Sequence, residues 1–230
     1  MATIPDNIQQ VRARIAAACD SAQRPVRSVT LLCVSKTFGP DAVRAAVDAG
    51  ERRFGENYVH EGIDKIAALA DLRPKIEWHL IGPLQSNKSR MVAEQFDWVH
   101  TIDRIKVAQR LSEQRPALLP PLNVCLQVNI SGEASKGGLA PADVAGVARA
   151  VAALPRLVLR GLMAIPEPAA DFESQRAPHR ALRELCDDLG RSGIALDTLS
   201  MGMSADLEAA IAEGATIVRV GTAIFGARRA

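Results

Sequence analysis

The chain is poor in aromatic residues: five Phe, two Trp and one Tyr make up 3% of its 230 residues. Its core must therefore be built mainly from Ala, Val, Leu and Ile. Charge of one sign is also lacking, since a formal net charge of +2 leaves no electrostatic footprint for nucleic acid or an anionic membrane. The four cysteines (Cys19, Cys33, Cys125 and Cys186) have no CxxC spacing and no His partner. That argues against a zinc or dithiol motif, and the expectation is reduced thiols in a cytoplasmic protein. No run is long and apolar enough to span a bilayer, and the amino-terminal residues show no secretory signal pattern. They read instead as an amphipathic helix with Ile4, Ile8, Val11, Ile15 and Ala18 on one face. No repeat, low-complexity tract or linker marks a second domain.

What is present is an unbroken strand–helix alternation in a chain that is 48% hydrophobic and 23% charged. Strands are expected over 29–36, 52–55, 76–81, 97–101, 122–130, 157–165, 198–201 and 216–220. Between them helices are expected over 41–49 (closed by Gly50), from the Glu56-Asn57-Tyr58 segment through about 69, and over 86–95, 141–153, 173–189 and 205–213, with another started by Asp103 and ended before Pro116. Eight such units predict an α/β fold, a single (β/α)8 TIM-type barrel domain over 1–230 with one extra N-terminal helix. A doubly wound open sheet is the alternative. It needs fewer strands and usually carries a glycine fingerprint after the first, which is missing here.

In such a barrel, loops at the carboxyl ends of the strands form the site. The first strand, VTLLCVSK, ends on Lys36, an amine where desolvation is costly unless it is paired or neutralised. The same rim collects Glu56, Asn57, His79, Lys88, Asn129, Lys136, Met163, Ser200, Met201, Ser204, Arg219, Gly221 and Thr222. Each has a plain structural reading. Lys36 can snorkel, Asn57 can cap a helix, His79 can be a hydrogen-bonded core histidine, and Asn129 can satisfy loop backbone. Their joint placement favours a site. Ser200–Ser204 and Gly221–Thr222 sit at strand-to-helix junctions, where backbone N–H groups suit an anion, and barrels often bind phosphate after strands seven and eight. An amine on strand one opposite a phosphate cradle fits pyridoxal 5′-phosphate (PLP), which needs a lysine, an anion site and a partner for its ring nitrogen. Arg219 suits the third role. Because it keeps its proton, the ring nitrogen would stay an acceptor, which disfavours carbanion chemistry.

Seven motifs then resemble, in order, the pyridoxal phosphate homeostasis protein family: VSKT (34–37), FGENYV (54–59), EWHLIGPLQSNK (77–88), NISGEASKGG (129–138), GLMAIP (161–166), LSMGMSADLEAAI (199–211) and VRVGTAIFG (218–226). His60 and Leu80 depart from the pattern at positions outside the proposed roles. The resemblance implies a fold similar to the alanine racemase barrel and the fold-type III decarboxylases, with PLP held as a Schiff base on Lys36. It further implies a cytoplasmic monomer in intracellular PLP homeostasis, without substantial turnover, that passes the cofactor to apo PLP-dependent enzymes. A PLP-dependent amino-acid racemase of alanine-racemase type is the rival reading. It needs a second acid/base on the face opposite the lysine, and Tyr58 is the only tyrosine. A metal-dependent or paired-carboxylate phosphate enzyme ranks lower. Glu56, Asp103, Glu133, Glu167 and Asp206 show no spacing that singles out two of them, and no metal is expected.

Overall fold

The computed structural model describes residues 2–133 and 137–227. Eight parallel strands close into a barrel in chain order: β1 (Thr30–Val34), β2 (Arg53–Glu56), β3 (Glu77–Leu80), β4 (Trp98–Ile102), β5 (Leu122–Gln127), β6 (Leu157–Met163), β7 (Thr198–Ser200) and β8 (Ile217–Val220). The seam is real pairing, with Thr30 opposite Ile217 and Cys33 opposite Val220. Helices α2 (Pro40–Asp48), α3 (Val59–Ala68), α4 (Ser89–Gln95), α5 (Ile105–Gln114), α6 (Pro141–Ala152), α7 (Phe172–Arg191) and α8 (Leu207–Ala212) follow successive strands, and a short α9 (Thr222–Phe225) follows β8.

The extra helix α1 (Ile4–Ser21) begins with a capping box, in which Thr3 and Asp6 each satisfy the other's backbone N–H. It buries Ile8, Val11, Ile15, Ala18 and Cys19 and packs on α8 and α9. Polar ties fasten the same face: Asn7 donates to the Ile224 carbonyl at 2.8 Å, and Arg14 to Glu208 at 2.8 Å and the Ser204 carbonyl at 3.0 Å. Among the described residues no helix is long and apolar enough to cross a membrane.

Alternation along the strands sorts side chains into two environments. On β1, Leu31 and Cys33 join the large core between sheet and helices, whereas Leu32 and Val34 join a small cluster with Ile81 and Ile217 inside the barrel. A second interior cluster holds Trp98, Cys125 and Met163. Buried polar groups share this interior: His79, His100, Ser200 and Arg219. Gly161 lets β6 and β7 approach, since a Cβ there would collide with the Thr198 carbonyl.

Several expected boundaries shift. Residues 128–130 leave β5, although Val128 still bridges Leu139, and β6 ends at Met163 rather than at residue 165. The 86–95 helix opens as a 3-10 turn, Ser86–Lys88, before α4. Asp103 does not cap α5. The residue before that helix is Arg104, in extended conformation, and its guanidinium holds the Asp103 carboxylate at 2.8 Å.

Candidate functional site

A cavity of about 560 Å³ opens at the carboxyl-terminal mouth of the barrel. Lys36, Asn57, Ser204, Arg219, Gly221 and Thr222 line it together with apolar Val34, Ile81, Ile165 and Met203. Arg219 comes from β8 itself, and the other five come from the segments just after β1, β2, β7 and β8.

Lys36 is half-buried in the turn that follows β1. Both of its neighbours in sequence are anchored from behind. Ser35 donates to Glu56 Oε1 at 2.5 Å, and its carbonyl accepts from Lys65 Nζ at 2.7 Å. Lys65 Nζ also donates to Glu56 Oε1 and to Glu61 Oε1, each at 2.8 Å, so all three ammonium protons are used. Glu61 in turn accepts the backbone N–H of Thr37, which sits at φ +68, a left-handed conformation costly for a branched side chain. Burial raises the Glu56 carboxyl, with Lys65 opposing the rise. Glu56 Oε2 has no partner among the described residues.

Across the mouth, Gly202 turns the chain out of β7 at φ +87, packed too close to Ala210 for a side chain. Asp206 secures the resulting loop, accepting from the Met203 N–H at 2.7 Å and contacting His179 Nε2 at 3.0 Å. Burial alone would raise the Asp206 carboxyl, but His179 and the Met203 N–H outweigh it and hold it low. After β8, Gly221 precedes the first turn of α9, and its carbonyl accepts from Ile224 and Phe225 at 2.9 Å. The N–H groups of Thr222 and Ala223 open that turn and so have no partner within it.

Arg219 projects inward from β8 and is 4% exposed. Its Nη1 donates to the Ser200 carbonyl at 2.5 Å and to Ser200 Oγ at 2.8 Å, and Nη2 donates to the Ala164 carbonyl at 2.8 Å. Burial pulls it down to about 10, opposed by Asp206, so it keeps its proton at neutral pH. These bonds use three of the five guanidinium N–H groups, and Arg219 also lines the cavity.

The remaining expected residues lie elsewhere. Ser200, at the end of three-residue β7, faces the barrel interior, with its hydroxyl between Arg219 and His100 Nδ1, 2.8 Å away. Met201 takes the opposite phase and enters the outer core, while Met163 packs inside against Trp98 and Cys125. None of the three lines the cavity. His79 is fully buried below it, in contact with His100 and Glu77. Lys88 ends the 3-10 turn before α4, and Asn129 donates to the Glu133 carbonyl at 2.7 Å; neither lines the cavity. Lys136 lies outside the described residues. Lys65, His100 and the anchoring role of Asp206 stand out little in the sequence. Lys65 left one trace, a lysine beside Ile66 on the apolar face of an amphipathic helix, four residues after Glu61. No group of acidic, His or Cys side chains among the described residues could hold a metal ion.

A family model described as alanine racemase, N-terminal domain, matches residues 7–229. A pyridoxal phosphate homeostasis protein of Pseudomonas aeruginosa is 62% identical over 228 residues, 99% of this chain and 97% of that one. Its counterpart in Escherichia coli K12 is 55% identical over 229 residues, 99% and 98% of the two chains. PipY of Synechococcus elongatus, solved with PLP bound, superposes with a TM-score of 0.85 at 37% identity, over 97% of this chain and 100% of that one. Alanine racemase of Clostridium difficile 630 shares the barrel alone, with a TM-score of 0.72 at 12% identity over 95% of this chain and 57% of that one. On these matches the chain belongs to the pyridoxal phosphate homeostasis protein family, built on the barrel of the alanine racemase N-terminal domain.

Proposed function

We propose that this protein binds PLP in the carboxyl-terminal mouth of its barrel, covalently through Lys36, and serves intracellular PLP homeostasis. The observation that carries this reading is the placement of an amine, an arginine and a hydroxyl-and-amide cradle on the walls of one cavity of about 560 Å³. When bound, PLP supplies a reactive aldehyde and a ring that can withdraw electrons. Lys36 presents Nζ from a turn anchored on both sides. Ser204, Thr222 and the amides after Gly221 offer donors to a phosphate. Arg219 offers its free N–H groups to the ring nitrogen, and Val34, Ile81 and Ile165 supply an apolar wall. PipY, 37% identical and solved with PLP bound, supports PLP as the ligand.

The protein acts as a carrier rather than a racemase in this reading. Lys36 and Arg219 are the only titratable side chains among the described residues that line the cavity. Tyr58, the residue before α3, is 59% exposed and does not reach it. Among the described residues the wall thus offers no second base on the opposite face, and a protonated Arg219 leaves the ring nitrogen unprotonated. Chemistry at an amino-acid α-carbon is then limited to trace racemase- or lyase-type activity. The protein works as a cytoplasmic monomer and releases PLP to apo PLP-dependent enzymes. The test is a mixing assay in which PLP-loaded protein is added to an apoenzyme and the acceptor's activity is followed. Recovery of activity supports the reading. A loaded protein that racemises amino acids at enzymatic rates contradicts it.

A further inference from the structure

A row of buried polar groups runs through the barrel below the cavity. Glu77 opens β3 at the amino-terminal end, with its side chain 39% exposed. Its Oε1 lies 2.9 Å from His79 Nε2; His79 Nδ1 lies 2.9 Å from His100 Nε2; His100 Nδ1 lies 2.8 Å from Ser200 Oγ. Ser200 Oγ then accepts from Arg219 Nη1 at 2.8 Å. Both imidazoles are fully buried, and His79 stacks on Trp98 at 5.3 Å between ring centres. Burial depresses both, most strongly His100, which also faces His79 and the Arg219 cation. Burial would raise the Glu77 carboxyl, but His79 and Arg53 outweigh it and keep it an anion.

With two neutral imidazoles the proton order follows. A carboxylate only accepts, so His79 carries its proton on Nε2 and presents a bare Nδ1. His100 must then donate from Nε2, which leaves its Nδ1 bare for the Ser200 hydroxyl proton. Ser200 thereby becomes an acceptor toward Arg219, which only donates. Each donor finds an acceptor, and the chain runs one way from cation to anion. In the reverse order the Ser200 hydroxyl proton would face the guanidinium.

We propose that Glu77 is a positioning residue for Arg219 at the opposite end of the barrel, acting through His79, His100 and Ser200. Its proton order holds Arg219 on Ser200, and so fixes which N–H groups remain for the ring nitrogen. This use rests on the PLP reading above, whereas the proton order itself does not.

Nitrogen–proton correlation spectra of the ¹⁵N-labelled protein without PLP read the histidines directly. The expected result is two neutral rings, each with its proton on Nε2. Glu77→Gln, whose amide oxygen accepts the same bond, should keep this pattern. Glu77→Leu should mix the tautomers of both rings and, in the PLP-loaded protein, move the visible absorption band and weaken PLP binding roughly tenfold, as lost outer-shell partners do at metal sites. Ser200→Ala should move the same band while His79 keeps its Nε2 proton, which keeps the idea testable if the Leu variant fails to fold. A wild-type ring protonated on Nδ1, or on both nitrogens, overturns the proposal. An unmoved band in both variants of a normally loaded protein also overturns it, and does so without touching the PLP reading. A wild type with the expected tautomers that takes up no PLP ends that reading, and Glu77's role with it.

Discussion

Replacing Lys65 by methionine removes a cation and leaves its counter-charge buried. The Glu56 side chain is 0% exposed, and Lys65 Nζ is 2.8 Å from it. Removing one member of such a pair costs about 3–5 kcal/mol, because the other charge stays desolvated. For a chain of this length that lowers the unfolding midpoint by roughly 6–20 °C at about 2–4 °C per kcal/mol. The pH dependence carries a sign. Burial already raises the Glu56 carboxyl above its ordinary value of 4.5, and loss of Lys65 raises it further. A carboxyl raised by folding favours the native state at low pH, and that benefit is lost as pH rises through the folded value. The gap between wild type and Lys65→Met should therefore be widest near neutral pH and shrink as pH falls toward 4.5. Adding Glu56→Gln should recover much of the loss, since the partners are coupled. Scanning calorimetry of the three proteins at several pH values tests this. A Lys65→Met variant within about 1 kcal/mol of wild type, or a gap that widens in acid, would refute the account.

The same variant should lose affinity for PLP more than for pyridoxine 5′-phosphate, which lacks the aldehyde, because Ser35 and Thr37 lose the anchors that aim Lys36; equal losses would detach the network from Lys36. Ser204→Ala and Thr222→Val should each weaken PLP about tenfold to a hundredfold, from roughly 1.5–3 kcal/mol per bond to a charged group, yet leave unphosphorylated pyridoxal almost unaffected. Ser200→Ala should leave that phosphate preference unchanged. Arg219→Glu should move the absorption of the loaded protein and speed hydrogen–deuterium exchange at the α-carbon of added amino acids. Exchange in the wild type should stay at trace level and be insensitive to Tyr58→Phe; fast exchange abolished by both Lys36→Ala and Tyr58→Phe would make this a two-base enzyme.

The barrel was legible because β1, β5, β6 and β8 are short, mainly apolar runs in an unbroken strand–helix alternation, with stop signals such as Gly50 and Pro116 between them. Lys36, Asn57, Ser204, Arg219, Gly221 and Thr222 were legible as a set because all fall just past or near a strand's carboxyl end. Ser200 and Met201 were not, since β7 has only three residues and a period of two cannot be phased over so short a stretch without its neighbours. The Lys65–Glu56 pair spans a strand and the following helix, and its burial depends on how they dock. His79 and His100 each sit on a separate strand, and only the parallel pairing of β3 with β4 brings their rings within 2.9 Å. Asp103 shows a local signal overridden: Arg104 occupies the position before α5, and its guanidinium holds the Asp103 carboxylate instead of the helix amides.

Reduction with borohydride after loading with PLP, followed by peptide mapping, tests the covalent role of Lys36. The cofactor should be fixed to the peptide containing Lys36, and Lys36→Ala should leave the protein unlabelled. Label on another lysine, with the Lys36 peptide unmodified, would contradict it.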